Sequence, residues 1–310
     1  MSIRIITYDA TRHLVAWDGV VEALRQGHLR APADVQDLML GGDGKALLNR
    51  AARIRGLGFA VKAETVFEAN AAAGLPTVQG MVLLYDDNTG GIRAVIESRL
   101  VTRFKTVADS LLGAQMLARK DSRHLVILGA GEVAESLAQG YAATFPGLTR
   151  ISIWARRHDQ AQALAARLRD SPVPPRAVSD LAAALSEADI VASATLARAP
   201  ILPGHLVRPG THIDLIGAFT PEMREADDAL IAKSRIYVDN VTTTIDRIGE
   251  LTDPIRNGVI ARADVLGDLY SMVPSGPRHR GSDTEITLFK NGGGAHLDLM
   301  VADYIARITG

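Results

Sequence analysis

The sequence predicts an α/β protein with a doubly wound parallel sheet and, beside it, a strand-rich α+β domain. Two observations predict it. From residue 118 onward, short apolar strands alternate with helical patterns, and a glycine-rich turn joins the first strand of that run to its helix. The first hundred residues instead carry strand patterns separated by turn residues, which reads as antiparallel pairing. The 310 residues suffice for two domains, expected as 1–117 with 287–310 and as 118–286.

The elements follow in order. Residues 3–7 read as a short strand, and 17–26 as a helix with Val20, Val21 and Leu24 on one face and Gly27 stopping it. Residues 30–58 give a mixed signal, in which Gly41-Gly42-Asp43-Gly44 is a turn between strands or a loop. Residues 58–62 form an apolar strand ending on Lys62. Strands at 80–85 and 92–97, with turn chemistry at 86–91 between them, make a β-hairpin. A helix covers 106–118. Strand 125–128, glycine loop 129–131, helix 132–144 and strand 151–154 come next. Helices at 161–168 and 181–187 and strands at 190–194, 212–216 and 236–238 continue the alternation. Residues 285–310 supply a strand, a Gly292-Gly293-Gly294 loop and a closing amphipathic helix.

Composition removes several classes of function. Hydrophobic residues make up 47% and charged residues 22%, the profile of a packed globular chain. A net charge of -1 gives no field for nucleic acid or an anionic membrane. There is no cysteine, so disulfides, thiolate metal sites and thiol nucleophiles are absent. The eight histidines are scattered, and no metal site is expected; His296-Leu297-Asp298 reads as the opening of the last helix, with Asp298 at its positive dipole end. The N-terminus, Met1 to Ile6, has no long apolar stretch, and nothing offers a membrane span, so a cytoplasmic protein is expected.

Gly129-Ala130-Gly131-Glu132-Val133-Ala134 is a G-x-G-x-x-A form of the dinucleotide fingerprint, and the sheet is therefore expected to be of Rossmann type. Gly129 permits the tight turn, Gly131 lets a pyrophosphate approach the backbone, and Ala134 lets the helix pack closely on its strand. The helix N-terminus offers free N–H groups to phosphate. The end of the next strand carries Arg156 and Arg157 and no acid. Two guanidinium groups suit a 2′-phosphate, which favours NADP over NAD, although solvated surface arginines would look the same.

The chain resembles the ornithine cyclodeaminase/mu-crystallin family along nearly its whole length. The resemblance is carried by Val61-Lys62, Gly74 to Val78, Asp87 to Gly90, Thr102 to Ala108, the glycine loop, Ala188 to Val191 with Ala194-Thr195, Ile216 to Pro221, Leu266 to Leu269 and Leu288 to Gly293, in that order. It implies a homodimer acting on a small amino or imino acid, with hydride passing between nicotinamide and the substrate Cα. It implies Lys62 as the catalytic lysine; alone, Lys62 reads as a surface lysine, whereas an apolar cleft would lower its pKa by desolvation. It implies cofactor contacts from Thr77, whose buried hydroxyl would need a partner, from Gly129, Ala130, Gly131, Glu132 and Val133, and from Thr195, Asp214, Leu215, Ile216 and Gly217. Gly292 and Gly293 match a loop closing over substrate, or else form a plain flexible turn.

Three positions depart from the family. Lys105 stands where an arginine of a Thr-x-x-Arg-Thr pattern grips the substrate carboxylate; it supplies charge to substrate or cofactor without the fork. Asp34 aligns with a second substrate arginine, for which Arg30, Arg50, Arg53 or Arg55 are candidate replacements. Phe219 stands where cyclodeaminases carry an aspartate, and a phenyl ring does no acid–base work. The expected activity is NAD(P)-dependent reduction of a ketimine or oxidation of an amino acid. Ornithine cyclodeamination and non-catalytic ligand binding of the mu-crystallin kind are the alternatives.

Overall fold

The computed structural model describes residues 3–276 and 279–310; Met1 and Ser2, where the N-terminal reading begins, lie outside them. The chain divides into two compact units, one running to Ala108 and resuming at Gly294, the other spanning Asp109–Gly293.

The first unit is built on six strands, β1 (Ile5–Ile6), β2 (Asp34–Gly42), β3 (Lys45–Ile54), β4 (Gly58–Phe67), β5 (Val78–Tyr85) and β6 (Ile92–Glu97). Their order is β1-β6-β5-β4-β3-β2, with every pair antiparallel except β1 with β6. The ambiguous glycine run is a hairpin turn. Gly42 pairs with Lys45, and Asp43 and Gly44 take φ of 51° and 80°, the mirror-image turn that matches strand twist. Lys62 does not end its strand; it sits mid-way along β4 with Arg50 opposite on β3 and Val82 opposite on β5. The helices Trp17–His28 and Ala295–Ile308 pack on each other, and the second lies against β2 to β6. Gly27 does not stop the first helix. A side chain there would collide with Met300, so glycine serves a close helix–helix approach.

The second unit holds eight strands: β7 (His124–Leu128), β8 (Arg150–Trp154), β9 (Arg176–Ala177), β10 (Ile190–Ser193), β11 (His212–Leu215), β12 (Ser234–Val238), β13 (Val265–Asp268) and β14 (Ile286–Lys290). All pairs are parallel, in the order β13-β12-β14-β11-β10-β7-β8-β9, a Rossmann-like sheet. Because β14 is bonded between β11 and β12, residues 287–293 belong to this unit and not, as expected, to the first. The helix expected over 106–118 begins at Ser98, since buried Leu100 and Phe104 extend its apolar face backwards. No helix among the described residues is long and apolar enough to cross a membrane.

The core of this sheet is not wholly apolar. Asp214 on β11 has no exposed surface, and Tyr141 donates to its carboxylate at 3.3 Å. Burial pushes the Asp214 carboxyl up to about 7, against the opposing pull of hydrogen bonds from Ser110 and Tyr141 and the Lys290 charge. An acid whose folded value is raised stabilises the fold while protonated and loses that contribution as pH climbs through the folded value. Asp214→Asn removes this titration. In calorimetric scans between about pH 5 and about pH 8, the variant's Tm should gain on the wild type as pH rises; a difference independent of pH would contradict it.

Candidate active site

The period-two alternation of β4 points Ala60, Lys62 and Glu64 to one buried face, while Phe59 on the other is exposed. Residues directly opposite in an antiparallel sheet share a face, so Asp37, Arg50 and Lys62 form one cross-strand row. Against it lies the first turn of the helix Ala295–Ile308, which brings Asp298 down onto Lys62. The Lys62 side chain is only 4% exposed, and its Nζ lies 3.2 and 3.1 Å from the two Asp298 carboxylate oxygens. Glu64 Oε2 is 3.4 Å away and Thr102 Oγ1 3.5 Å.

The surroundings of Lys62 are therefore ionic, which corrects the apolar cleft expected for it. Burial raises the Asp298 carboxyl, but the charges of Lys62, Lys105 and Arg50, with the Lys62 hydrogen bond, outweigh it and hold the group below its ordinary range. Burial, then the charges of His28, Lys105 and Arg50, drive His296 well below the usual imidazole range. Its ring meets that of His28 edge-on at 5.5 Å. The charges of Lys62, Lys105 and Arg50 thus all act on the Asp298 carboxylate, while Glu64 and Asp37 pair with Lys62 and Arg50. Lys105 comes from the helix Ser98–Leu117 and is buried. Of the four arginines considered as replacements, Arg50 is the one whose charge reaches Asp298 and His296. It also forks onto Asp37 with two contacts of 3.2 Å. Asp34 is exposed and loosely paired with Arg53 at 3.9 Å.

The dinucleotide loop lies in the second unit. Gly129 follows β7 with φ of 119°, its N–H donating to the Trp154 carbonyl at 2.9 Å, and a side chain there would strike the Ala194 carbonyl. A Cβ on Gly131 would meet nothing within 4 Å, which leaves open space over the loop. Gly131 is also the N-cap of the helix Glu132–Thr144, and no side chain caps that helix. Open space over a helix N-terminus without a side-chain cap suits a pyrophosphate. Arg156 and Arg157 are exposed just beyond β8, and neither takes an ion-pair partner among the described residues.

The other expected residues fall out unevenly. Thr195 and Gly217 follow β10 and β11, and both are held by Glu225, whose carboxylate accepts the Thr195 N–H and hydroxyl at 2.8 Å and the Gly217 N–H at 2.6 Å. Asp214 and Leu215 are sealed in the core of β11, so their side chains are structural, and Ile216 is nearly so at 8% exposure. Thr77 is half-buried rather than buried; its carbonyl accepts the Phe67 N–H at 2.8 Å. The loop at Gly292 and Gly293 is not a slack turn, because the Gly293 N–H donates to Asp239 at 2.6 Å. Glu64, Asp298 and Glu225 escaped the sequence reading as site residues. Among the described residues no group of histidines and carboxylates could hold a metal ion.

Residues 43–308 match the ornithine cyclodeaminase/mu-crystallin family. The chain belongs to that family. It is 56% identical over 300 residues to a Δ1-pyrroline-2-carboxylate reductase of Paracoccus denitrificans, covering 97% of this chain and 95% of the relative. Among solved structures it is similar to Thermococcus litoralis Δ1-pyrroline-2-carboxylate reductase in complex with NADH and L-proline, with a TM-score of 0.92, 25% identity and coverage of 99% and 97% of the two chains. An archaeal alanine dehydrogenase dimer with bound NAD gives a TM-score of 0.91 at 25% identity, covering 100% and 96%.

In this family member the Lys62–Asp298 pair ties β4 to the last helix. Removing Asp298 breaks the shorter of the two buried pairs to Lys62 and leaves Glu64 at 3.4 Å as its remaining carboxylate, at a cost of about 3 kcal/mol. Asp298→Ala should lower unfolding stability by about that amount in urea titrations, and a loss under about 1 kcal/mol would contradict the pairing.

Proposed function

We propose that this chain reduces the C=N bond of a cyclic imino acid of the Δ1-pyrroline-2-carboxylate kind to the corresponding amino acid. It is an NAD(P)-dependent oxidoreductase of imino and amino acids, in keeping with its 56% identical relative and its NAD-bound structural relatives. The observation that carries the finer reading is the Lys62 amine, buried and held between Asp298 and Glu64. Reduction adds a hydride to the imine carbon and a proton to its nitrogen. The reduced nicotinamide nucleotide supplies the hydride when bound. Lys62 is the catalytic residue that supplies the proton from Nζ, and its two carboxylate neighbours, Asp298 and Glu64, hold the amine in place. Lys105 supplies positive charge to the substrate carboxylate as a point charge, and Arg50, whose fork is held by Asp37, adds to the field there. Gly292 and Gly293 keep the substrate-loop role that the family resemblance implies, with Asp239 holding the Gly293 N–H.

Phe219 is 62% exposed and apolar where cyclodeaminases have a carboxylate, which supports reduction over ammonia loss. Gly129, Ala130, Gly131, Glu132 and Val133 receive the pyrophosphate through backbone N–H groups, and Thr77, Thr195 and Gly217 serve the rest of the nucleotide. Arg156 and Arg157 favour the 2′-phosphate of NADP. A homodimer is supported by β2, a sheet edge on which Leu38, Met39 and Leu40 are all more than half exposed. Dependence on reduced nicotinamide supports a cytoplasmic setting.

The test is oxidation of NAD(P)H, followed by absorbance, with Δ1-pyrroline-2-carboxylate. Lys62→Ala should lower kcat/KM by about a hundred- to ten-thousandfold, and an unchanged rate would overturn the role of Lys62. In the double variant Arg156→Ala/Arg157→Ala, KM for NADPH should rise by about tenfold or more while KM for NADH stays put. Equal effects on both would remove the arginines from cofactor choice.

A further inference from the structure

Beneath the ends of β10 and β11 lies a buried ionic cluster that the catalytic chemistry does not use. Glu225 has no exposed surface, yet its carboxylate takes four donors: the Ser193 hydroxyl at 2.6 Å, the Thr195 N–H and hydroxyl at 2.8 Å, and the Gly217 N–H at 2.6 Å. Residue 225 is itself immobilised. Its N–H donates to Glu250 at 2.8 Å, the Ala226 N–H donates to the same carboxylate at 2.9 Å, and its carbonyl accepts from Ile201 and Leu202 at 2.9 Å. Lys290 is also fully buried, and its Nζ reaches the Leu215 and Asn291 carbonyls at 2.9 and 2.6 Å. Its charge favours the ionised forms of both Glu225 and Glu250 against their burial.

Gly217 explains why the clamp is so tight. A Cβ there would strike the Thr195 backbone and come within 2.7 Å of Glu225 Oε1, so the two loops run in direct contact with the carboxylate between them. In open parallel sheets ligands lie outside the carboxyl ends of the strands. Thr195 and Gly217 are at two such ends.

We infer that Glu225 is a positioning residue for the nicotinamide half of the cofactor, fixing the Thr195 and Gly217 loops against each other so that they present one preformed surface to it. The inference rests on the cofactor reading above and adds to it a residue with no direct part in the chemistry. A glutamine at 225 keeps the shape but supplies only one acceptor oxygen, and its NH2 would face an N–H or O–H donor, so one loop must move away. The pyrophosphate loop at 129–131 sits on β7 and takes no bond from Glu225.

The experiment is calorimetric titration of wild type and Glu225→Gln with NADH, NADPH and ADP-ribose, which lacks the nicotinamide. The expected result is a rise in Kd of about ten- to hundredfold for the reduced dinucleotides and little change for ADP-ribose. KM for NAD(P)H should rise while KM for the imine stays near wild type. Ser193→Ala, which removes one buried donor to the same carboxylate, should weaken dinucleotide binding in the same sense by a few-fold, and it decides the matter if Glu225→Gln does not fold. Equal weakening of all three ligands, or none of any, overturns the inference while wild-type binding upholds the cofactor site. Wild type that binds no dinucleotide overturns both.

Discussion

An ammonium group inside a protein must be neutralised, and that requirement organises the first unit around Lys62. The partner comes from far along the chain, since Asp298 is 236 residues away in sequence. To supply it, the polypeptide leaves the first sheet, builds the whole parallel sheet, and returns to lay its last helix across β2 to β6. The burial of that helix, with Leu297, Met300, Val301 and Ile305 all inaccessible, provides the apolar energy that keeps the carboxylate in place. The charges of two more cations, Lys105 and Arg50, act on the same carboxylate.

The second unit answers a different demand. Its loops must leave backbone donors free for a ligand, yet loops with free donors are mobile unless something behind them is rigid. The rigidity comes from polar groups inside the sheet, where Glu225, Glu250 and Lys290 hold the strand ends from below. The open side keeps Gly131, over which a side chain would meet nothing. Rigid behind and open in front is the arrangement that lets a phosphate dock with little reorganisation.

How much of this was legible in the sequence depended on range. The loop at Gly129 to Gly131 and the helix Glu132–Thr144 were plain, because strand, turn and helix are contiguous and each glycine has a local reason. The hairpin of β2 and β3 was not, because Leu38-Met39-Leu40 are exposed on consecutive positions and break the alternation that marks a half-buried strand. β9 has only two residues, and β13, Val265–Asp268, is interrupted by a glycine and ends on an aspartate, so neither gives a strand signal. The lysine at 62 was recognisable only through its resemblance to a family. Glu64 had a local cue, two residues along the same strand face, whereas Asp298 had none, since it lies 236 residues away along the chain. The division at 293 rather than 286 followed from the pairing of β14, which no pattern within residues 285–310 encodes.

Trp154 carries one last implication. It closes β8, its carbonyl receives the Gly129 N–H, and its indole is half-buried with Nε1 donating to the Ser179 carbonyl at 3.3 Å. The chain has two tryptophans, and the other, Trp17, packs against Phe104 at 4.6 Å in the first unit. Indole emission overlaps the absorption band of reduced nicotinamide. If the dinucleotide docks at the glycine loop as proposed, the protein carries a native optical gauge beside it, and occupancy is readable from quenching of Trp154 without attaching a dye.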